Sequence, residues 1–230
     1  MRLFLFDVDG TLIVARGAGR EAFNRALQAI YGTVSRNEAA YDFRGKTDPR
    51  ILHDLMTDAG LSPREIAARE AEFYAAYVRE LGAAIGDGRR VTVMPGIVEL
   101  VHALGARDDA VVGLLTGNIE GGARVKLAPT GLWPSFRVGA FGSDHIDRRE
   151  LPAIACARAR TVVGRDFAFE RVTIIGDTPL DVDCARACGA RAVAVATGFH
   201  PYDDLERCAP DLIFTNFADV PRALAALTSD

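Results

Sequence analysis

The 230-residue sequence has no apolar run near the length that crosses a membrane, and Met1-Arg2-Leu3 leaves no room for a signal peptide's apolar stretch. The expectation is a cytoplasmic chain with no membrane partner. A basic excess is missing too. The 27 Lys and Arg stand against 31 Asp and Glu, a net charge of -4, so nothing points to a nucleic acid. Cysteine is scarce, four residues without the spacing of a disulfide framework. Cys184 and Cys188 lie four apart with no histidine or further cysteine near them, so they read as small buried side chains, and free thiols suit a reducing compartment. Internal repeats and low-complexity segments are absent. What remains is 49% hydrophobic residues over a length that supports a large core and one or two domains.

The apolar residues gather in short runs that end abruptly in polar ones. Phe4-Leu5-Phe6 is followed by Asp7-Val8-Asp9-Gly10-Thr11. Val111 to Leu115 runs into Thr116-Gly117-Asn118, and Val172 to Gly176 into Asp177-Thr178-Pro179-Leu180-Asp181. Runs apolar on both faces read as buried strands of a parallel sheet, and ligands sit beyond the carboxyl ends of such strands. Further strands are expected at 138–141, 191–196 and 212–215, alternating with helices, which predicts a doubly wound, Rossmann-like α/β sheet.

Between the first strand and the second the pattern is helical. Ala22, Phe23, Ala26, Leu27 and Ile30 share one face of a helix over 21–30. Asp48-Pro49 reads as an N-cap followed by proline at the first helical position. Ser62-Pro63-Arg64-Glu65 reads as a capping box ahead of a stripe of Ile66, Phe73, Tyr77 and Leu81. Gly82 to Arg90 reads as a linker. The expected division is therefore a core of residues 1–14 and 91–230 with a helical insert over 15–90.

The D-x-D-G-T stretch at Asp7, the strand ending in Thr116 and the G-D-x-x-x-D stretch from Gly176 to Asp181 resemble, in that order, the motifs of the haloacid dehalogenase-like hydrolase superfamily. Within it, the phosphoglycolate-phosphatase-like and β-phosphoglucomutase-like branch is the nearest in pattern, and there the helical insert is a cap domain. The resemblance implies hydrolysis of a small phosphomonoester with Mg²⁺, phosphoglycolate being one candidate, by a monomer or homodimer. It makes Asp7 the nucleophile, Asp9 the general acid and base, and Thr116 a donor to the phosphate. Gly10, Gly117 and Asn118 are expected beside the phosphate, though Asn118 reads equally as a helix cap. The implied metal ligands are Asp7, Asp9 through its carbonyl, and Asp177, with Asp181 a ligand or its support. Within that superfamily, an acid two residues after the nucleophile implies phosphate esters rather than halides or phosphonates.

The pattern departs from that family at one point, because the stretch from Ser143 to Pro152 has no lysine where one is expected. Arg148 and Arg149 are the replacements at hand, Arg148 slightly preferred, with Lys126 a distant substitute. Arg44 and Lys46, in a polar loop that resembles a specificity loop, are expected to meet a second anionic group or to be solvated. Arg16-Gly17-Ala18-Gly19-Arg20 reads as a hinge carrying a further cation. A sugar phosphomutase would use the same acids. A non-catalytic phosphate-sensing module is the remaining alternative, and a response-regulator receiver fits the D-x-D-G-T stretch poorly.

Overall fold

The computed structural model describes residues 1–35 and 37–229. Its centre is a six-stranded parallel sheet of β1 (Arg2–Phe6), β4 (Ala110–Thr116), β5 (Val138–Phe141), β6 (Val172–Gly176), β7 (Arg191–Val195) and β8 (Leu212–Phe214). Across the sheet the order is β5-β4-β1-β6-β7-β8, with every pairing parallel. The order reverses at β1, so the chain winds outward in both directions from it and opens a crevice at its carboxyl end.

Register decides what meets in that crevice. Phe6 pairs with Leu114 on one side and Ile175 on the other. Asp7 therefore leaves the sheet level with Leu115 and Gly176, one residue short of Thr116 and Asp177. The three apolar runs are buried along their length because helices cover both faces. On one face Phe4, Phe6 and Val112 pack with Ile97, Leu100 and Leu104 of α4 (Ile97–Gly105) and with Leu227 of α9 (Val220–Thr228). On the other, Leu3, Leu5 and Ile174 pack with Leu151 and Ala155 of α6 (Leu151–Val163) and Val182 of α7 (Pro179–Cys188). The remaining helices over the sheet are α5 (Glu120–Leu127) and α8 (Tyr202–Arg207).

A third cluster holds the helical segment together. Phe23 of α1 (Ala18–Tyr31), Leu52 and Leu55 of α2 (Asp48–Asp58), and Phe73 and Tyr77 of α3 (Pro63–Ile85) are its buried members. Phe23 meets Phe73 and Tyr77 edge-on, with ring centroids 4.8 and 5.2 Å apart, a favourable arrangement for aromatic quadrupoles. The segment leaves and rejoins the sheet through a small antiparallel pair, β2 (Ile13–Val14) with β3 (Thr92–Val93).

Two sequence expectations shift here. The 82–90 stretch is not all linker, since α3 continues to Ile85 before Gly86 ends it; alanines at 83 and 84 extend the helix past a glycine that costs only about 1 kcal/mol. The N-cap of α2 is Thr47, whose hydroxyl accepts the Arg50 N–H at 3.3 Å. Asp48 is the first helical residue, which frees its carboxylate for another contact. The Ser62–Glu65 capping box forms as read.

Candidate active site

Asp7, Asp177 and Asp181 bring oxygens within 4.8 Å of one another at the crevice, and all three are buried. Asp7 and Asp177 follow directly from the register. Asp181 reaches the same end because α7 begins there, and its carboxylate closes a capping box with Thr178, Oδ2 accepting both the Thr178 amide and hydroxyl. Its other oxygen accepts from Arg148 Nη2 at 2.5 Å. The same Nη2 lies 3.1 Å from Asp7 Oδ1. One guanidinium thus sits between two carboxylates, and Arg148 Nη1 donates to the Gly45 carbonyl at 3.0 Å.

Crowding of negative charge shows in the carboxyl groups. Burial, with Asp181 and Asp9 adding repulsion against the attraction of Arg148, raises Asp7 to about 6. Asp177 is pushed well above the usual carboxylate range by burial and then by Asp181 and Asp7. Arg148 is also raised, but for the opposite reason: burial would lower it, and Asp181 and Asp7 hold it above its ordinary value. Backbone is pressed against Asp177 on two sides. A Cβ added at Gly10 would lie 2.2 Å from Asp177 Oδ2, and one at Gly198 1.7 Å from it. Gly10 also has φ +83°, which only glycine adopts without strain. Hard oxygen donors, unbalanced negative charge and a Cβ-free cradle around Asp177 fit a divalent cation such as Mg²⁺.

Thr116 is fully buried, bonds the Asp7 side chain, and accepts from Asn118 Nδ2 at 2.8 Å. Asn118 Nδ2 also donates to Asp9 Oδ2 at 2.9 Å. Asn118 does not cap α5, whose N-cap is Ile119; its amide is spent inside the site. Gly117 is where the helical segment touches the sheet. Its carbonyl accepts the Asp48 N–H at 2.7 Å, and a Cβ there would fall 2.1 Å from the Lys46 carbonyl.

Lys126, expected only as a distant substitute, is in the site. Its Nζ lies 2.5 Å from Asp9 Oδ2 and 2.6 Å from Asn118 Oδ1. The signal was present in the sequence as a lysine among Gly122, Ala123 and Leu127, the buried face of α5. Asp48, expected as the N-cap of α2, instead turns its carboxylate to the start of α5. Its Oδ2 accepts the Ile119 N–H at 2.8 Å, and burial raises its carboxyl to about 6 against the pull of Lys126.

Arg149 is not brought to the site. It forms an exposed ion pair with Asp147 at 2.7 Å, because Asp147 caps the short turn that starts at Arg148 and accepts the Arg149 N–H as well. Arg44 and Lys46 line the cavity above the carboxylates, Arg44 paired with Asp42 and Lys46 lying 3.8 Å over the Tyr41 ring. That cavity is about 520 Å³ and is also lined by Arg16, Arg20 and Phe199. Gly17 turns the chain at φ +80° and α1 starts behind it, placing Arg20 4.4 Å over Phe43.

The chain is similar to known proteins along most of its length. The family of haloacid dehalogenase-like hydrolases matches residues 4–186. A phosphoglycolate phosphatase of Synechococcus elongatus is 26% identical over 227 residues, 99% of this chain and 99% of that protein. A phosphoglycolate phosphatase of Rhodospirillum rubrum is 29% identical over 202 residues, 85% of this chain and 79% of that protein. A solved hydrolase from Pseudomonas syringae superposes with a TM-score of 0.75 at 21% identity, covering all of both chains. With a match that spans residues 4–186, the chain belongs to the haloacid dehalogenase-like hydrolase family.

Proposed function

We propose that the protein hydrolyses a small phosphomonoester through an aspartyl-phosphate on Asp7. The observation that carries this reading is the placement of Asp7 at the switch point of the sheet, with Arg148 against one oxygen and the Asp177–Asp181 acids beside it. An Asp7 oxygen attacks phosphorus, the ester P–O bond breaks, and Asp9 gives its proton to the departing alkoxide. Water then attacks the same phosphorus while Asp9 takes the water's proton, releasing phosphate and the free Asp7 carboxylate. Asp9 is only partly buried, so its carboxylate has room to turn from Lys126 toward the leaving oxygen.

Thr116 supplies a donor to a phosphoryl oxygen, and Arg148, held against Asp7, offsets the repulsion between Asp7 and an incoming dianion. Asp7, Asp177 and the Asp9 carbonyl would hold Mg²⁺. Asp181, with both oxygens engaged by Arg148 and Thr178, acts as their support. When bound, Mg²⁺ supplies charge neutralisation at the phosphoryl group. The 15–90 segment is the cap, and Arg44, Lys46, Arg20 and Arg16 give it a cationic lining suited to a substrate with a second anionic group, such as phosphoglycolate. The cavity also has volume for a hexose phosphate, and a sugar phosphomutase would employ the same acids.

Purified protein with Mg²⁺ should release inorganic phosphate from at least one member of a panel of phosphoglycolate, phosphoserine and hexose phosphates, and Asp7→Asn should not. Time-resolved analysis with hexose phosphates separates an isomerised sugar from free phosphate. No metal-dependent release or isomerisation from any ester would overturn the reading.

A further inference from the structure

The contact between Arg148 and Gly45 joins two parts of the molecule that the chain itself keeps apart. Gly45 belongs to the helical segment and Arg148 to the turn ahead of α6. Stretch 44–48 is seated on the sheet by other bonds too: Thr47 Oγ1 donates to the Ile146 carbonyl at 2.7 Å, and the Asp48 N–H to Gly117 at 2.7 Å. The approach is close. Gly45 has φ +70°, and a Cβ there would lie 2.6 Å from Thr178 Oγ1. Of these anchors only Arg148 also touches the nucleophile.

Resting on the reading of Asp7 as nucleophile, we propose that Arg148 is a positioning residue that couples the seating of loop 44–48 to the Asp7 carboxylate. Nη1 holds the loop carbonyl and Nη2 holds Asp7 and Asp181, and the two nitrogens lie in one rigid plane. Displacing the loop therefore pulls on the contact to Asp7 Oδ1, and seating the loop restores it. A lysine could not do this, because its single ammonium is a point charge on a flexible stem. The arginine is also a poor choice for charge alone. Its Nε is buried with no hydrogen-bond partner among the described residues, a penalty that a lysine would not carry. The second donor to Gly45 is what the fork adds. The substitution of arginine for the usual lysine thus ties substrate contact in the cap loop to alignment of the nucleophile.

The test is amide hydrogen exchange of the Lys46–Arg50 stretch in Mg²⁺ and again in chelator, for wild type, Arg148→Lys, Arg148→Ala, Asp7→Asn and Thr47→Val. Arg148→Lys should recover thermal stability relative to Arg148→Ala because charge balance at Asp7 and Asp181 is kept. It should not recover protection at the Asp48 amide, which should exchange about tenfold faster than in wild type in both arginine variants. Asp7→Asn should speed the same amide severalfold, although the change is made on the far side of the guanidinium; a purely structural arginine would not transmit it. Thr47→Val should loosen the loop directly and shows that the probe responds. Wild-type exchange in both Arg148→Lys and Asp7→Asn would overturn the coupling. Exchange does not require turnover, so this outcome is distinct from failure of the phosphatase reading, which the ester panel decides.

Discussion

Lys126 Nζ lies 2.5 Å from Asp9 Oδ2, across 117 residues of sequence. The ammonium is buried, at 6% side-chain exposure, while the carboxylate is 43% exposed. The lysine is therefore the fixed member of the pair and Asp9 the one free to move. Asn118 Oδ1 accepts from the same ammonium, so the pair is oriented as well as charged. Lys126→Met should lower kcat/KM about tenfold. Charge-assisted hydrogen bonds are worth about 1.5–3 kcal/mol, and the partial exposure of Asp9 places the effect near the lower end. The melting temperature should fall too, because Asn118 Oδ1 loses its donor and Asp48 a nearby positive charge. Steady-state kinetics and a thermal melt on the same preparation check both.

Gly198→Ala tests the proposed metal site without replacing any of the residues proposed to hold the ion. The added methyl would stand 1.7 Å from Asp177 Oδ2, so the carboxylate must shift. The Mg²⁺ concentration for half-maximal activity should rise at least tenfold, with the circular dichroism spectrum unchanged. Gly105→Ala, where a Cβ meets nothing within 4 Å, is the control and should leave the Mg²⁺ dependence alone.

Asp48 predicts a particular pH dependence of stability. Burial raises its carboxyl from 3.8 to about 6 in the folded chain. Between those values the folded state holds a proton that the unfolded state has released. Stability from this group is therefore present at acid pH and is lost as pH rises through about 6. The unfolding free energy of wild type minus that of Asp48→Asn should decrease from pH 4 to pH 7. Denaturant titrations in chelator at several pH values check it, and a difference that rises with pH would contradict the assignment.

The two neighbouring arginines should separate cleanly. Arg149 is exposed and paired with Asp147, whereas Arg148 is buried between Asp7 and Asp181. Arg149→Ala should hold kcat/KM within about twofold, as surface changes usually do. Arg148→Ala should cost roughly two decades or more, since it leaves two buried carboxylates without their cation. Parallel kinetics of the two variants decide it.

What the sequence disclosed divides along a physical line. Strand ends were legible because a strand buried on both faces is an unbroken apolar run, so Asp7, Thr116 and Asp177 announce themselves where the run stops. The Ser62 capping box was legible because both halves of it lie within four residues. Contacts across long separations were not. Local spacing cannot say that Thr47 rather than Asp48 caps α2, because the choice depends on Ile119, 71 residues away, claiming the Asp48 carboxylate. It could prefer Arg148 over Arg149 only slightly, since Asp181 and Gly45, which surround one of these adjacent arginines, are distant in the chain. Lys126 lay between. Its buried helical face could be read, but its partner could not.

Asp7 is the residue proposed to carry the phosphoryl group, and that role is open to direct measurement. Wild-type protein should be mixed with a phosphorus-labelled ester that it turns over, quenched in acid within the first turnover, and digested. The label should be found on the peptide containing Asp7, as an acyl phosphate that hydroxylamine removes, and should be missing from Asp7→Asn. Label on any other residue, or labelled phosphate released at the wild-type rate by Asp7→Asn, would contradict the account.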